Sequence, residues 1–483
     1  MSETTVKIGR KSITVQNNVI DRAISYVAPQ TAARRMKARL AMAIAGSYTG
    51  ASRSKRSMSS WKTTGNDPDT DILGDLPTLR DRSRDLLRNA PLAVGAVGTV
   101  VTNAVGRGLK LQARIDRTIL GMSDEQAEAW EANTEFEFNL WAESQECDVA
   151  RTLRFGDLQN LAFRQCLENG ESFVLLPRFK RGNFPYGTKI QIIEADRVCN
   201  KNFMPDTDTI IAGIEKDNYG APVRYYVTKQ HPGNIRSTSA NAYTWESFEA
   251  FGKETGLRNM IHLYDVKRPG QTRGVPYLSP VIEALKMLDR YTDAELMAAV
   301  VTGMFTVFVE TETGANDLSA FLPSAETGAT ATDEDYKLGN GAIIALARGE
   351  KISTANPGRP NSAFDPFVKA ILQQIGAALE IPYEILIQHF SSSYSASRAA
   401  LVQAWRFFLN RRSWLAQNFC QLIYESWLAE AVAIGRVNAP GYFRDMRIRK
   451  AYTGTLWIGD APGQIDPMKE VDAAEKRLEL GIT

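Results

Sequence analysis

The chain has 483 residues, 44% of them hydrophobic, enough to bury a sizeable core and, by length, roughly two to four domains. Lysine plus arginine (57) nearly balances aspartate plus glutamate (55), so the total charge singles out no anionic partner. The distribution is uneven: residues 1–62 hold twelve basic and two acidic residues (Glu3 and Asp21), net +10, which leaves 45 basic against 53 acidic, net −8, for the remainder. A positive tail on a mildly acidic body is the result.

Cys147, Cys166, Cys199 and Cys420 stand far apart with no CxxC pair, which suits a reducing compartment and argues against a disulfide framework. The only histidines, His231, His262 and His389, have no local cysteine partner, so a zinc site is not expected. No apolar run approaches the roughly 20 residues of a membrane span. The start, MSETTVKIGRKSITVQ, lacks the apolar stretch of a secretory signal. A soluble protein made in a cytoplasm is expected.

Residues 1–80 are rich in Ser, Thr, Ala and Arg, with one basic amphipathic helix around Ala32–Ala45. They read either as a partly disordered arm with a solvated charge run, or as an arm touching nucleic acid or a neighbouring subunit. A helix near Leu79–Leu87 precedes the apolar stretch APLAVGAVGTVVTNAVGRGLKLQARI, which ends in a Gly-Arg-Gly turn and a strand-like LKLQARI. Ser123 and Gln126 make a capping box for the next helix, and LQNLAFRQCLENG reads as a helix stopped by Gly170. From Glu171 to Val266 the period becomes strand-like: ESFVLLPRF, KIQIIEADRV, IIAGIEKD, VRYYVTK and MIHLYDV predict a mostly antiparallel meander.

Ser279 as N-cap and Pro280 in the first turn open a helix predicted to reach Gly303, about 24 residues or roughly 36 Å. A strand-and-loop module follows, interrupted by the low-complexity PSAETGATATDED, and then a helix at roughly Ala363–Leu379. IPYEILIQ leads into the serine-rich HFSSSYSAS, and no glycine or proline occurs from Tyr383 to Ile434. The loop before the long helix is therefore expected to rest on serines competing for backbone hydrogen bonds. Leu401, Trp405, Phe408, Leu415, Phe419 and Leu422 recur at helical spacing as a core stripe. Arg398 opens this helix, and Arg406, Arg411 and Arg412 lie mostly off the stripe. They read as a solvated or ion-paired face, or as contacts to an adjacent subunit or to DNA phosphates. Beyond Gly435 come a strand-like RIRKAYTGTLWIG and a last helix, PMKEVDAAEKRLELG.

No catalytic motif survives inspection. Gly182–Lys189, GNFPYGTK, has P-loop glycine spacing but ends Thr-Lys and sits between strands, which makes it a hairpin turn. Gly106-Arg107-Gly108 lacks a third glycine and a following helix. There is no GxSxG elbow and no HExxH. His262 reads as a satisfied core histidine, and Glu194 with Asp196 has no visible base or metal triad. No enzyme, metal or cofactor is expected.

Two long helices flank a module of about 60 residues, like rods with a knob between them. The order of pieces and the wording of Gly270–Leu296 (GQTRGVPYLSPVIEALKMLDRYTDAEL) and Pro357–Phe408 resemble the portal proteins of tailed bacteriophages, lambda type, with weaker likeness in NGESFVLLPR and IQIIEADRV. The resemblance covers about residues 80–483. It implies an α+β ring subunit with a wing, two stem helices, a small α/β clip and a helical crown. The ring, usually a dodecamer, sits at one capsid vertex, and double-stranded DNA is pumped through it by a terminase and later ejected. Carried over by segment, 1–80 is the arm, 81–278 the wing, 279–303 and 363–383 the stem helices, and 304–362 the clip. Residues 384–397 are then the tunnel loop, 398–463 the long wing helix with its return strand, and 464–483 the crown.

The tunnel-loop residues are Gln388, His389, Phe390, Ser391, Ser392, Ser393, Tyr394, Ser395 and Ser397, with Arg398, Arg406, Arg411 and Arg412 as phosphate or intersubunit contacts. Hydroxyls there would give polar contact without the tight retention of a lysine cluster. The implied partners are further copies of the chain, double-stranded DNA, the terminase large subunit, the major capsid or scaffold protein and a head–tail adaptor, with no membrane. The protein would assemble in the host cytoplasm and reside in the virion. Relatives usually continue beyond the position of LELGIT with further helix, so a short crown is expected. Two other classes compete: a nucleic-acid enzyme or motor subunit using the basic arm, and a monomeric scaffold or adaptor.

Overall fold

The computed structural model describes residues 3–8, 11–16, 24, 26–44, 49–51, 56–234, 244–303, 307–311, 350–354, 364–390, 393–461, 475–479 and 481. The chain divides into two compact units, Met1–Asp67 and Pro68–Thr483. In the first, β1 (Glu3–Ile8) pairs antiparallel with β2 (Lys11–Gln16), Glu3 opposite Gln16. Helix α1 (Pro29–Ile44) starts three residues earlier than expected, because proline has the φ a first helical turn needs. Much of the segment read as partly disordered thus carries regular structure, and its last residues, 68–80, belong to the second unit.

The second unit begins with α2 (Pro68–Ile72), α3 (Leu76–Asn89) and α4 (Pro91–Ala104). The apolar stretch after the predicted helix is itself helical: Ala93, Ala96, Val97, Val100 and Ala104 are all buried along α4. Gly108, at φ 99°, crosses Gly156 so closely that a Cβ would lie 2.5 Å from the Gly156 Cα. β3 (Lys110–Ala113) and the short α5 (Arg117–Leu120) follow, then α6 (Asp124–Ala142), which opens on the predicted Ser123/Gln126 capping box. α7 (Phe155–Asn169) ends at Gly170, φ 89°.

The strand-rich region departs from the single meander. β4 (Glu171–Leu175) lies at the centre of a three-stranded sheet between β5 (Gln191–Ile193) and a strand near residue 260. A separate four-stranded meander contains β6 (Ile210–Ile211), β7 (Ile214–Lys216), β8 (Pro222–Thr228) and β9 (Trp245–Glu249). β10 (Met260–Tyr264) pairs back to β4, Met260 opposite Leu175. Alternation cannot reveal that long-range pairing, and β4 is buried at every position, so it carries no alternation at all. β9, with two glutamates in five residues, was missed.

α8 (Ile282–Gly303) is entered through a 3-10 turn at Ser279–Val281. Ser279 does not cap it, and its buried hydroxyl has no partner among the described residues. β11 (Val307–Thr311) pairs antiparallel with β12 (Glu350–Thr354), and the rest of 304–362, including PSAETGATATDED, lies outside the described residues. α9 (Phe364–Ala378) stacks Phe364 on Tyr291 of α8 and sets Phe367 edge-on to the same ring, with centroids 5.5 and 5.3 Å away. α10 (Tyr383–Leu386) precedes α11 (Tyr394–Leu415), which continues through a π-helical turn, Ala416–Cys420, into α12 (Gln421–Ala433). RIRKAY, read as strand, lies in helix α13 (Met446–Tyr452), because the Asp445 carboxylate accepts the Arg447 amide at 2.7 Å and caps it. Only β13 (Thr455–Ile458) is strand, paired with β3. Of the predicted crown, 475–479 is helical, and nearly all the remainder lies outside the described residues.

One core joins α4, α6, α7 and the α11–α12 rod, with Phe138 packed edge-on against Phe155, Tyr424, Trp427 and Trp457. A second sits between the two sheets around Phe173, Ile214, Tyr225 and Met260.

Candidate functional site

The serine run divides between loop and helix. Gln388 takes a left-handed φ of 54°, and the His389 amide donates to the Glu384 carbonyl at 3.0 Å, which closes the turn after α10. Phe390 follows, half exposed. Ser391 and Ser392 lie outside the described residues. Ser393 is the N-cap of α11, its hydroxyl accepting the Ala396 amide, and the Ser397 amide donates to the Ser393 carbonyl at 2.9 Å. Tyr394, Ser395 and Ser397 therefore stand in the first helical turn, four residues before the predicted start. A serine at the N-cap satisfies one amide that the helix cannot satisfy itself, so the hydroxyls that break the helix upstream also start it.

Behind this lip, α11 buries Ala404, Phe407, Phe408 and Leu415, while Leu401 and Trp405 are half-buried. Phe407, absent from the predicted stripe, faces Tyr277, whose hydroxyl donates to the Leu379 carbonyl. One residue of helix thus ties the rod to both the segment before α8 and the end of α9.

The four arginines separate into two pairs. Arg411 donates to Asp265 at 3.1 Å. Arg412 donates from Nε to the Ala104 carbonyl (2.9 Å) and from Nη2 to the carbonyls of Asn103 (3.0 Å) and Asp460 (2.8 Å), and so caps the C-terminus of α4. Both are engaged within the chain. Arg398 and Arg406 are exposed and have no ion pair among the described residues.

The sequence reading missed a buried charge cluster. Glu171 accepts from Arg80, from Arg273 Nε at 2.6 Å, from the Gly274 amide at 3.0 Å, and faces His262 Nε2 at 2.7 Å. Burial alone would raise its pKa, but Arg273, Arg80 and His262 outweigh burial and hold it well below the carboxylate range. Burial likewise pushes His262 down, against the pull of Glu171. His262 is the satisfied core histidine expected, stacked between Phe173 and Tyr264 at 4.3 and 4.0 Å. Arg273 also donates to the carbonyls of Ala195, Val198 and Ala212. This places Arg273, inside the distinctive segment Gly270–Leu296, at the centre of the joint between α3, both sheets and the entry to α8. Its neighbour Gly274 crosses Gly170 so tightly that a Cβ on Gly274 would lie 2.1 Å from the Gly170 carbonyl oxygen. The one local signal was an Arg-Gly pair in a segment without helical or strand period.

Glu194, Asp196 and His231 bring ligand-type atoms within 4.8 Å of one another. The Gly233 amide donates to His231 Nδ1 at 2.9 Å, which leaves the proton on Nε2, facing Asp196 (3.3 Å) and Glu194 (3.5 Å). Arg84 already bridges both carboxylates, and Arg80 holds Asp196. An imidazole without a free lone pair toward two ion-paired carboxylates is a hydrogen-bonded cluster and not a metal site. The glycine-spaced Gly182–Lys189 turn is no phosphate cradle either: its Gly187 and Thr188 amides donate to the Glu430 carboxylate at 2.5 and 2.7 Å.

The class this defines is an α+β subunit with a long rod, a capped lip and a polar joint between sheets and helices. The sequence pattern of the family described as "Phage portal protein, lambda family" matches residues 54–412. The chain belongs to that family: it is a phage portal protein, a head–tail connector of the virion. It is 26% identical over 459 residues to portal protein B of Escherichia phage lambda, covering 91% of this chain and 85% of that one. With the portal protein of Escherichia phage N15 the identity is 27% over 443 residues, covering 88% and 82%. Among solved structures, a chain from "Virion of native gene transfer agent (GTA) particle" aligns over 84% of this chain and 89% of its own, at 12% identity and a TM-score of 0.45. No helix among the described residues is long and apolar enough to cross a membrane.

Proposed function

We propose that copies of this chain close into a ring at one capsid vertex, through which double-stranded DNA is packaged and later ejected. In this reading α8 and α9 form the stem, and 304–362 forms a clip that meets the terminase large subunit and then the head–tail adaptor. The major capsid or scaffold protein is a further partner of the ring, and Gln388 to Ser397 form the constriction. Twelve subunits is the number the family resemblance implies.

The observation that supports the ring is the outer half of α8. Leu285 and Leu288 are buried, but two turns further on Leu296 and Met297 are 64% and 62% exposed, and Val300 is 46% exposed. Apolar side chains repeated along one helix and left in water need a cover, and a head-to-tail interface repeated around an axis supplies one to every copy. Native mass spectrometry and negative-stain imaging test this. The wild-type protein should give closed rings, and Leu296→Asp with Met297→Asp should give monomers of normal fold. A monomeric wild type at all concentrations would refute the ring. Shortening 391–395 should leave rings intact and impair DNA packaging or retention, and normal packaging would refute the constriction. Charge reversal in 311–340 should weaken terminase or adaptor docking with the ring intact, and loss of the ring would refute the clip assignment.

A further inference from the structure

We infer that the outer face of α11 beside the lip is a phosphodiester-binding face for double-stranded DNA, carried by Arg398 and Arg406. The inference rests on the portal reading, which brings a duplex to the lip, and it goes beyond that reading by assigning the contact to two side chains.

Three observations support it. First, the structure sorts four arginines of one helix by their partners: Arg411 and Arg412 are consumed by Asp265, Ala104, Asn103 and Asp460, whereas Arg398 and Arg406 stand exposed without an ion pair among the described residues. Second, neither α11 nor the lining of its groove carries an opposing charge. No acidic residue occurs between Glu384 and Glu425, so α11 is cationic throughout. A face designed for a carboxylate-bearing neighbour and one designed for phosphate both need arginine, but a polyanion needs no particular partner residue. Third, Arg398 and Arg406 belong to one shallow groove of about 500 Å³, lined by Ser395, Arg398, Ala399, Val402, Gln403 and Arg406. Arg398, Val402 and Arg406 follow at successive fourth positions, and eight residues of helix separate the two guanidinium stems by about 12 Å along the axis. Duplex DNA carries a charge about every 1.7 Å of axis, so two forks at that separation meet phosphate in any sequence register. Gln403 adds a neutral polar group between them, and Ser395 adds one on the lip side of Arg398. Two arginines per copy, with hydroxyl and amide neighbours, attract a sliding duplex without a dense cationic grip.

The test uses the assembled full-length protein and a short DNA duplex of arbitrary sequence, with binding followed by fluorescence anisotropy across salt and assembly followed by native mass spectrometry. The basic arm contributes equally to every variant, so the difference in salt slope is the quantity read. Arg398→Gln with Arg406→Gln should keep the ring and reduce the slope of log affinity against log salt by about 0.9 for each phosphate no longer neutralised, about 1.8 for each subunit engaged. Between about 50 and 200 mM salt the wild type should then lose roughly twelvefold more affinity than the double variant for each subunit engaged. Arg411→Gln should keep the wild-type slope. Loss of the ring in the double variant would make these arginines subunit contacts and overturn the inference. An intact ring with unchanged slope would overturn it too, leaving the portal reading standing. A wild type that never forms rings refutes the assembly instead, and the slope difference measured on monomers still decides this face.

Discussion

The aromatic core around Phe138 and the outer half of α8 are both apolar, yet they are organised in opposite ways. Around Phe138 the large rings Trp141, Phe155, Phe419, Tyr424 and Trp427 are all at or below 2% exposure, and Trp457 is half-buried. On α8, Leu288 is enclosed but Leu296, Met297 and Val300 are not, although they belong to the same unbroken helix. Burying a leucine side chain is worth about 1.5–3 kcal/mol, so leaving several in water is a cost that only a partner can recover. The aromatic core is finished within one copy; in the proposed ring the outer half of α8 is completed by others. The polar joint around Glu171 stands between the two, since Arg273 lies just before the entry to α8 and is fastened to Glu171, Ala195, Val198 and Ala212.

The largest expected effect falls on that joint. Arg273→Ala leaves Glu171 with Arg80, His262 and the Gly274 amide and removes the guanidinium donor from three backbone carbonyls. Breaking a buried pair from one side costs about 3–5 kcal/mol, so urea unfolding of the variant should show that loss. A change below about 1 kcal/mol would mean that the joint is hydrated and does not behave as buried.

The comparison within α8 is next in size. Leu288→Ala should cost about 2–5 kcal/mol of unfolding free energy, measured at concentrations below assembly. Leu296→Ala should change it by less than about 0.5 kcal/mol under the same conditions and should instead weaken the ring, read by native mass spectrometry. Equal unfolding penalties at the two positions would erase the distinction between a finished and an unfinished surface.

These contrasts also explain what could be read from the amino-acid order alone. The Ser123/Gln126 capping box, the Gly170 stop, α8 and α9 were legible because their signals are local: a cap and its partner lie three residues apart, and a helical stripe repeats every turn. The lip was legible as a serine run between a helix and a rod, but its boundary was not, because serine both breaks and caps helices. The joint was illegible for a different reason: Arg273 and Glu171 lie 102 positions apart, and Arg412 and Ala104 lie 308 apart. Polar partners at such separations leave no period in the chain. Hence Arg411 and Arg412 looked like surface cations until their acceptors were seen, and β10 looked like the next strand of a meander until its pairing with β4 was seen.

Acid should act on the joint before it acts on the aromatic core. His262 has a folded pKa below its ordinary value near 6.5, so below that pH the unfolded chain binds the proton more readily and stability falls. Glu171 has a folded pKa below its ordinary value near 4.3; its contribution is complete above that pH and is lost as pH falls further. Both effects carry the same sign. Urea midpoints should therefore decline from pH 7 to about 5.5 in the wild type, and His262→Gln should flatten that decline while leaving the steeper loss below about pH 4.3. An unchanged decline in the variant would remove His262 as its source.

The smallest effect tests the lip itself. Ser393→Ala removes the hydroxyl that accepts the Ala396 amide, at about 1 kcal/mol for a typical N-cap. Because the first turn of α11 packs little, with Ser395 and Arg398 exposed, that loss should appear as fraying of residues 394–397 and not as global unfolding. Amide hydrogen exchange should quicken at Ala396 and Ser397 while protection around Phe408 and Leu415 is unchanged. Ser393→Asp, which restores an acceptor at the same position, should return exchange to the wild-type rate. If alanine there leaves the first turn as protected as before, the lip is held by its tertiary contacts, and the serine cap is not what divides loop from rod.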